Sequence, residues 1–205
     1  MPVVADAVRL PAFTPGMRIG LFGGSFDPPH AGHREVSLVA LHTVGLDQVW
    51  WLVSPQNPLK PNAPSEDLER RIAAARTLAN HPRIRVTAVE ADLGTTYTAE
   101  TLRCLMPRLR GVDLVWMMGA DNLATFHRWR DWRGIAMQVP IAVFNRPDAA
   151  LKALSSPAAR ALAACRLPVH EAGLLPRRPA PAWVFLPTPN VPLSSTELRA
   201  MRLSS

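Results

Sequence analysis

Two imidazoles three residues apart are the first side chains in this sequence whose spacing suggests chemistry. They close the stretch Gly23-Gly24-Ser25-Phe26-Asp27-Pro28-Pro29-His30-Ala31-Gly32-His33. Gly23 and Gly24 allow the backbone to approach a ligand and expose its N–H groups, and Asp27-Pro28 turns the chain toward a helix. If His30 and His33 lie in the first turn of that helix they share a face. An anion there meets the positive end of the helix dipole. Neither GxGxxG nor GxxxxGKS/T is present, so this is neither a dinucleotide fingerprint nor a P-loop. Taken singly, the pieces read more plainly. A Gly-Gly is a turn, Asp-Pro is a turn former, and the His pair is half of a zinc site without a third ligand at suitable spacing. Capping alone is better served by Ser or Asp than by two imidazoles.

Further candidates lie downstream. Ser195 and Thr196 precede Arg199 by about one helical turn and could offer hydroxyls, N–H groups and a charged fork to phosphates, or simply cap a helix. Trp129 and Trp132 are interleaved with Arg128, Arg130 and Arg133. That pattern fits an exposed cationic site with an aromatic platform, or two core aromatics. Asp121 follows an apolar strand, where it could take a ligand hydroxyl or cap a helix. Lys60, in a proline-rich loop, and Arg146 could reach a phosphate or stay solvated.

The elements that must position these residues are legible in the hydrophobic pattern. Short apolar runs at Arg18 to Gly23, Gln48 to Val53, Ile84 to Val89, Asp113 to Met118, Val139 to Phe144 and Trp183 to Leu186 predict strands. Between them, helix-period stretches run from Gly32 to Val44, ended by Gly45, and from a cap at Ser65 over Leu68, Ile72, Ala75 and Ala79. Others run from Thr98 to Met106, from Pro157 to Ala164 and from Ser194 to Met201. Strands alternating with helices predict a doubly wound, mostly parallel α/β sheet with a small C-terminal helical subregion. In such a sheet ligands bind beyond the carboxyl ends of the strands, where the candidates above fall.

Composition narrows the partners. The chain has 205 residues, 48% of them apolar, and a formal charge of +7, which favours anionic ligands. Nucleic acid is not expected, because there is one tyrosine and the arginines form no single stripe. No run of 18 apolar residues occurs, so no membrane span is expected. The first 16 residues lack the apolar core of a secretory leader, and two cysteines with neither metal-ligand nor CxxC spacing, too few for a disulfide framework, suit a reducing, cytoplasmic setting.

The Gly23–His33 stretch resembles the GGxFDPxHxGH signature of bacterial nicotinate-mononucleotide adenylyltransferases, in the HxGH nucleotidylyltransferase superfamily. Ser194-Ser195-Thr196-Glu197-Leu198-Arg199 resembles that family's ISSTxIR. Tyr97-Thr98-Ala99-Glu100-Thr101-Leu102, Gly119-Ala120-Asp121-Asn122-Leu123, Phe126–Trp129 and Asn145-Arg146-Pro147 resemble intermediate segments. The resemblance runs from about Met17 to Met201, leaving residues 1–16 as an N-terminal extension to a single Rossmann-like domain over 17–205. It implies adenylyl transfer from ATP to nicotinate mononucleotide. His30, His33 and Arg199 would be catalytic, while Gly23, Gly24, Ser25, Phe26, Lys60, Ser195 and Thr196 would bind ATP. Thr98, Gly119, Asp121, Trp129, Arg130 and Arg146 would bind the mononucleotide. Magnesium would come with ATP, no metal cage of protein ligands is expected, and a homo-oligomer remains open. Nicotinamide mononucleotide and phosphopantetheine are the alternative acceptors. Arg130 favours the acid over the amide.

Overall fold

The computed structural model describes residues 9–55, 67–145 and 149–188. Seven strands, all parallel, form one sheet in the order β3-β2-β1-β4-β5-β7-β6. They are β1 Arg18–Gly24, β2 Gln48–Val53, β3 Ile84–Thr87, β4 Asp113–Gly119, β5 Ile141–Phe144, β6 Arg166–Leu167 and β7 Trp183–Leu186. The two-residue β6 leaves too short an apolar run to be visible in the sequence.

Both faces of the sheet are covered, which explains why the central strands read as unbroken apolar runs. On one face, Phe22, Trp51 and Val53 pack under α1 (Ala31–Val39) and α2 (Leu68–Ala79). Helix α1 runs on through a π turn, Ala40–Val44, and stops at Gly45, whose φ of 71° suits glycine. On the other face, Leu21, Trp50, Leu52 and Trp116 pack under α4 (Thr98–Leu105), α5 (Ala120–Thr125) and α6 (Trp132–Gln138). The short helices α7 (Ala150–Leu154) and α8 (Pro157–Ala161) join that second core. Residues 9–16 also pack there: Phe13 meets Trp50 edge-on at 6.1 Å, and the Gly16 N–H donates to the Gly111 carbonyl at 2.6 Å.

Several boundaries differ from the sequence expectation. The third strand stops at Thr87, not Val89, because the Thr87 hydroxyl accepts the Val89 N–H at 3.2 Å and turns the chain. Val89 instead opens a short helix, α3 (Val89–Leu93), closed by Gly94 at a φ of 61°. The fifth strand begins at Ile141, two residues later than expected, since α6 carries on to Gln138 with Val139 as its C-cap. Asp67, not Ser65, is the N-cap of α2. The stretch expected to be helical from Pro157 to Ala164 divides into α8 and a 3-10 turn at Ala163–Cys165, and a second 3-10 stretch follows at Val169–Arg177. The Ser194–Met201 helix lies outside the described residues.

Candidate active site

The strand order reverses between β1 and β4: the chain goes outward to β2 and β3, then returns to β4 and continues the other way. That switch point opens a crevice at the carboxyl ends of the two strands. Gly24 ends β1 on one side of it and Gly119 ends β4 on the other, each two residues past the paired Phe22 and Met117. Gly23 is glycine for a packing reason beyond ligand access. A Cβ there would come within 2.9 Å of Cη2 of Trp116 on the neighbouring strand.

The two histidines meet at the start of α1. His30 is the N-cap and His33 occupies the third helical position, so they stand at the positive end of the dipole. Their rings are 3.9 Å apart, centroid to centroid, and both residues are buried. The sequence expectation set this geometry against capping, yet the structure combines the two. The His30 N–H donates to His33 Nδ1 at 3.2 Å. Because Nδ1 accepts, the neutral ring carries its proton on Nε2, which makes Nε2 a donor.

An aromatic bed holds that orientation. Phe26 lies 4.8 Å from the His33 ring and stacks on Trp51 at 5.0 Å, while Phe22 closes the other side at 5.8 Å from His33. The Trp51 indole donates to Ser37 Oγ at 2.8 Å, and the Ser37 hydroxyl donates to the His33 carbonyl at 2.8 Å. Phe26 was expected to contact ATP, but its side chain is 1% exposed. Whatever it offers a phosphate comes from its main chain. Its φ of 48° is strained for a bulky residue and is held by this packing. Trp51, Ser37 and Phe22 were not singled out in the sequence, being indistinguishable there from ordinary core residues.

Two further buried residues, Arg71 and Glu90, were missed in the sequence. Arg71 on α2 is 2% exposed. Its Nη1 donates to the carbonyls of Ser25 at 2.7 Å and Ser54 at 2.8 Å, and its Nη2 donates to that of Pro55 at 3.1 Å. The signal was an arginine on the stripe formed by Leu68, Ile72 and Ala75. Glu90 on α3 is buried and accepts from the Thr101 hydroxyl at 3.0 Å, which also meets the Thr95 hydroxyl at 2.9 Å. Burial pushes the Glu90 carboxyl up to about 7, and the Thr101 hydrogen bond opposes that rise.

Of the expected mononucleotide residues, Gly119 ends β4, and Asp121, Trp129 and Arg130 follow it in the chain. Thr98 is the first residue of α4, and Tyr97 caps that helix. Arg130 bridges the segments, with its Nη1 3.0 Å from Glu100 Oε1 and its guanidinium 4.8 Å from the centroid of the Tyr97 ring. The Arg130 charge is thus paired with Glu100 at the surface. Trp129 is half-buried and packs edge-on to Phe126 at 5.4 Å, so it is partly the core aromatic that the sequence allowed. Its indole N–H is buried without an acceptor among the described residues. Asp121 is exposed in the first turn of α5; Gly119 holds the cap position instead. Lys60, Arg146, Ser195, Thr196 and Arg199 lie outside the described residues. Asn145 N–H donates to the Leu186 carbonyl, and the Thr188 hydroxyl donates to the Asn145 carbonyl, so the chain leaves β7 at the carboxyl edge of the sheet.

Comparison with known proteins shows the family of this chain. The cytidylyltransferase-like family model matches residues 21–201. A Cereibacter sphaeroides protein named as a probable nicotinate-nucleotide adenylyltransferase is 57% identical over 184 residues, covering 90% of this chain and 97% of its own. This chain belongs to the nicotinate-nucleotide adenylyltransferases. A Ruegeria pomeroyi protein of the same name is 54% identical over 193 residues, covering 93% of this chain and 89% of its own. The Plasmodium falciparum nicotinic acid mononucleotide adenylyltransferase, solved with NaAD, gives a TM-score of 0.66. It covers 90% of this chain and 83% of its own at 15% identity, a likeness of fold. The Rossmann-like architecture of the adenylyltransferases is therefore the one observed here. No described helix is long and apolar enough to cross a membrane.

Proposed function

We propose that this protein transfers the adenylyl group of ATP to nicotinate mononucleotide, releasing pyrophosphate and forming nicotinate adenine dinucleotide. The observation that carries the reading is the buried His30–His33 pair at the head of α1 beside the β1/β4 crevice. A phosphate oxygen of the mononucleotide attacks the α-phosphorus of ATP, and the bond from that phosphorus to the bridging oxygen of pyrophosphate breaks. The attacking phosphate, with a second pKa of about 6, is already anionic at neutral pH and needs no strong base. Catalysis then rests on positioning and charge stabilisation. The His33 Nε2–H and the His30 imidazole donate to the phosphoryl oxygens as charge grows there. Gly23, Gly24 and Ser25 bring main-chain donors to the same phosphates.

Ser195, Thr196, Arg199 and Lys60 belong to the triphosphate half of this reading through their sequence motifs. Thr98, Gly119, Asp121, Trp129 and Arg146 belong to the mononucleotide half, with Trp129 stacking on the pyridine ring. Among the described residues no group of three His, Cys, Asp or Glu could hold a metal. Magnesium would come with ATP, held by triphosphate oxygens and water, where it would screen phosphate charge. A cytoplasmic location goes with this reading, and the free thiols of Cys104 and Cys165 suit it.

The test is pyrophosphate release by the purified chain with ATP, magnesium and nicotinate mononucleotide, run beside nicotinamide mononucleotide and phosphopantetheine. Turnover with the highest kcat/KM for the acid is expected. No turnover by folded protein, or a higher kcat/KM for either alternative, overturns the reading.

A further inference from the structure

We propose that Arg71 is a positioning residue for the nucleotide phosphates, acting through the Ser25–Phe26 peptide that it grips from below. This rests on reading the Gly23–Ser25 loop as the ATP phosphate site. Arg71 is buried in α2, remote in sequence from both strands it serves. Three of its side-chain hydrogen bonds reach the loop after β1, at Ser25, and the loop after β2, at Ser54 and Pro55. The two loops are also tied directly. The Ser54 N–H and hydroxyl both donate to the Gly24 carbonyl, at 3.0 and 3.2 Å.

The consequence follows from peptide geometry. The Ser25–Phe26 bond is trans, so its C=O and N–H point to opposite sides of the peptide. With the Ser25 carbonyl drawn down onto Arg71, the Phe26 N–H is turned away from the guanidinium. That N–H has no acceptor among the described residues. The Phe26 side chain, locked against Trp51, prevents the peptide from rotating back. A hydrogen-bonded guanidinium therefore aims a main-chain donor. Lysine in its place keeps the charge but loses the planar fork that reaches several carbonyls at once.

The experiment compares Arg71→Lys and Arg71→Met with the parent enzyme, measuring kcat and separate KM values for ATP and nicotinate mononucleotide. Thermal melting and calorimetric titration of ATP accompany the kinetics. For Arg71→Met, kcat/KM for ATP should fall roughly 10- to 100-fold, less than for a lost direct donor. The KM for the mononucleotide should stay within about twofold and calorimetric ATP affinity should weaken. Arg71→Lys should recover part of the loss. If Arg71→Met does not fold, Arg71→Lys decides the matter, with a several-fold higher ATP KM and an unchanged mononucleotide KM expected. A folded variant with parental ATP kinetics overturns the proposal. So does a loss that tracks only the folded fraction and leaves both KM values unchanged. Inactivity of the parent enzyme would instead overturn the underlying functional reading, which keeps the two failures distinct.

Discussion

At the scale of single residues, the site is a device for holding one ring still. His33 is gripped by the His30 N–H at Nδ1, bedded on Phe22 and Phe26, and anchored through its carbonyl to Ser37 and Trp51. The His30 N–H engages Nδ1, so Nε2 is the nitrogen that the proposed function assigns to the phosphates. Replacing His33 with alanine should therefore chiefly lower kcat, by about 10²- to 10³-fold if it acts as one transition-state donor. Steady-state kinetics with both substrates varied check this; a change confined to KM would mean that the ring contributes only to ground-state binding. The histidines were legible in the sequence because they sit in one contiguous stretch whose residue types make little sense as structure alone. Arg71 was not singled out, because its partners are main-chain carbonyls and leave no trace in residue type. For Phe26 the motif left unsaid that its side chain belongs to the core, so that only its main chain is left to meet a ligand.

At the scale of elements, the strands were legible where both faces are buried, as in Gln48–Val53, which matches β2 residue for residue. Element ends depended on single side chains. The Thr87 hydroxyl ends β3 early and hands Val89 to a helix, in which Glu90 faces Thr101. The helices α5, α6 and α7 went unseen because each is at most seven residues long, too short for a clear apolar period. The close approach of β1 and β4 is the tightest demand on an element. Gly23→Ala would drive a Cβ into the buried Trp116 ring, 2.9 Å away, and this ring cannot swing into solvent. Overpacking of that kind costs roughly 1–3 kcal/mol. A lower midpoint in chemical denaturation, with an unchanged slope, is the expected result.

For the whole molecule, the buried carboxyl at Glu90 couples folding to pH. Its value near 7 exceeds the ordinary glutamate value of 4.5, so the folded chain holds this proton more tightly than the unfolded chain. The resulting stability is complete below about pH 4.5 and is lost as pH rises toward 7, an amount of order 3 kcal/mol. Glu90→Gln keeps a neutral hydrogen-bonding group in place. Denaturation midpoints measured from pH 5 to pH 8 should therefore fall less steeply in the variant than in the parent. Parallel slopes would show that the carboxyl does not titrate in this window.

The tryptophans have a consequence of another kind. Trp50, Trp51, Trp116 and Trp183 are sealed in the interior, whereas Trp129 and Trp132 are half-buried and both rest edge-on against Phe126. The chain thus carries four indoles whose light emission is insulated from the solvent and two whose surroundings a visiting aromatic ring would change. If the mononucleotide binds beside Trp129 as proposed, its arrival should show in the protein's own fluorescence, with no label attached.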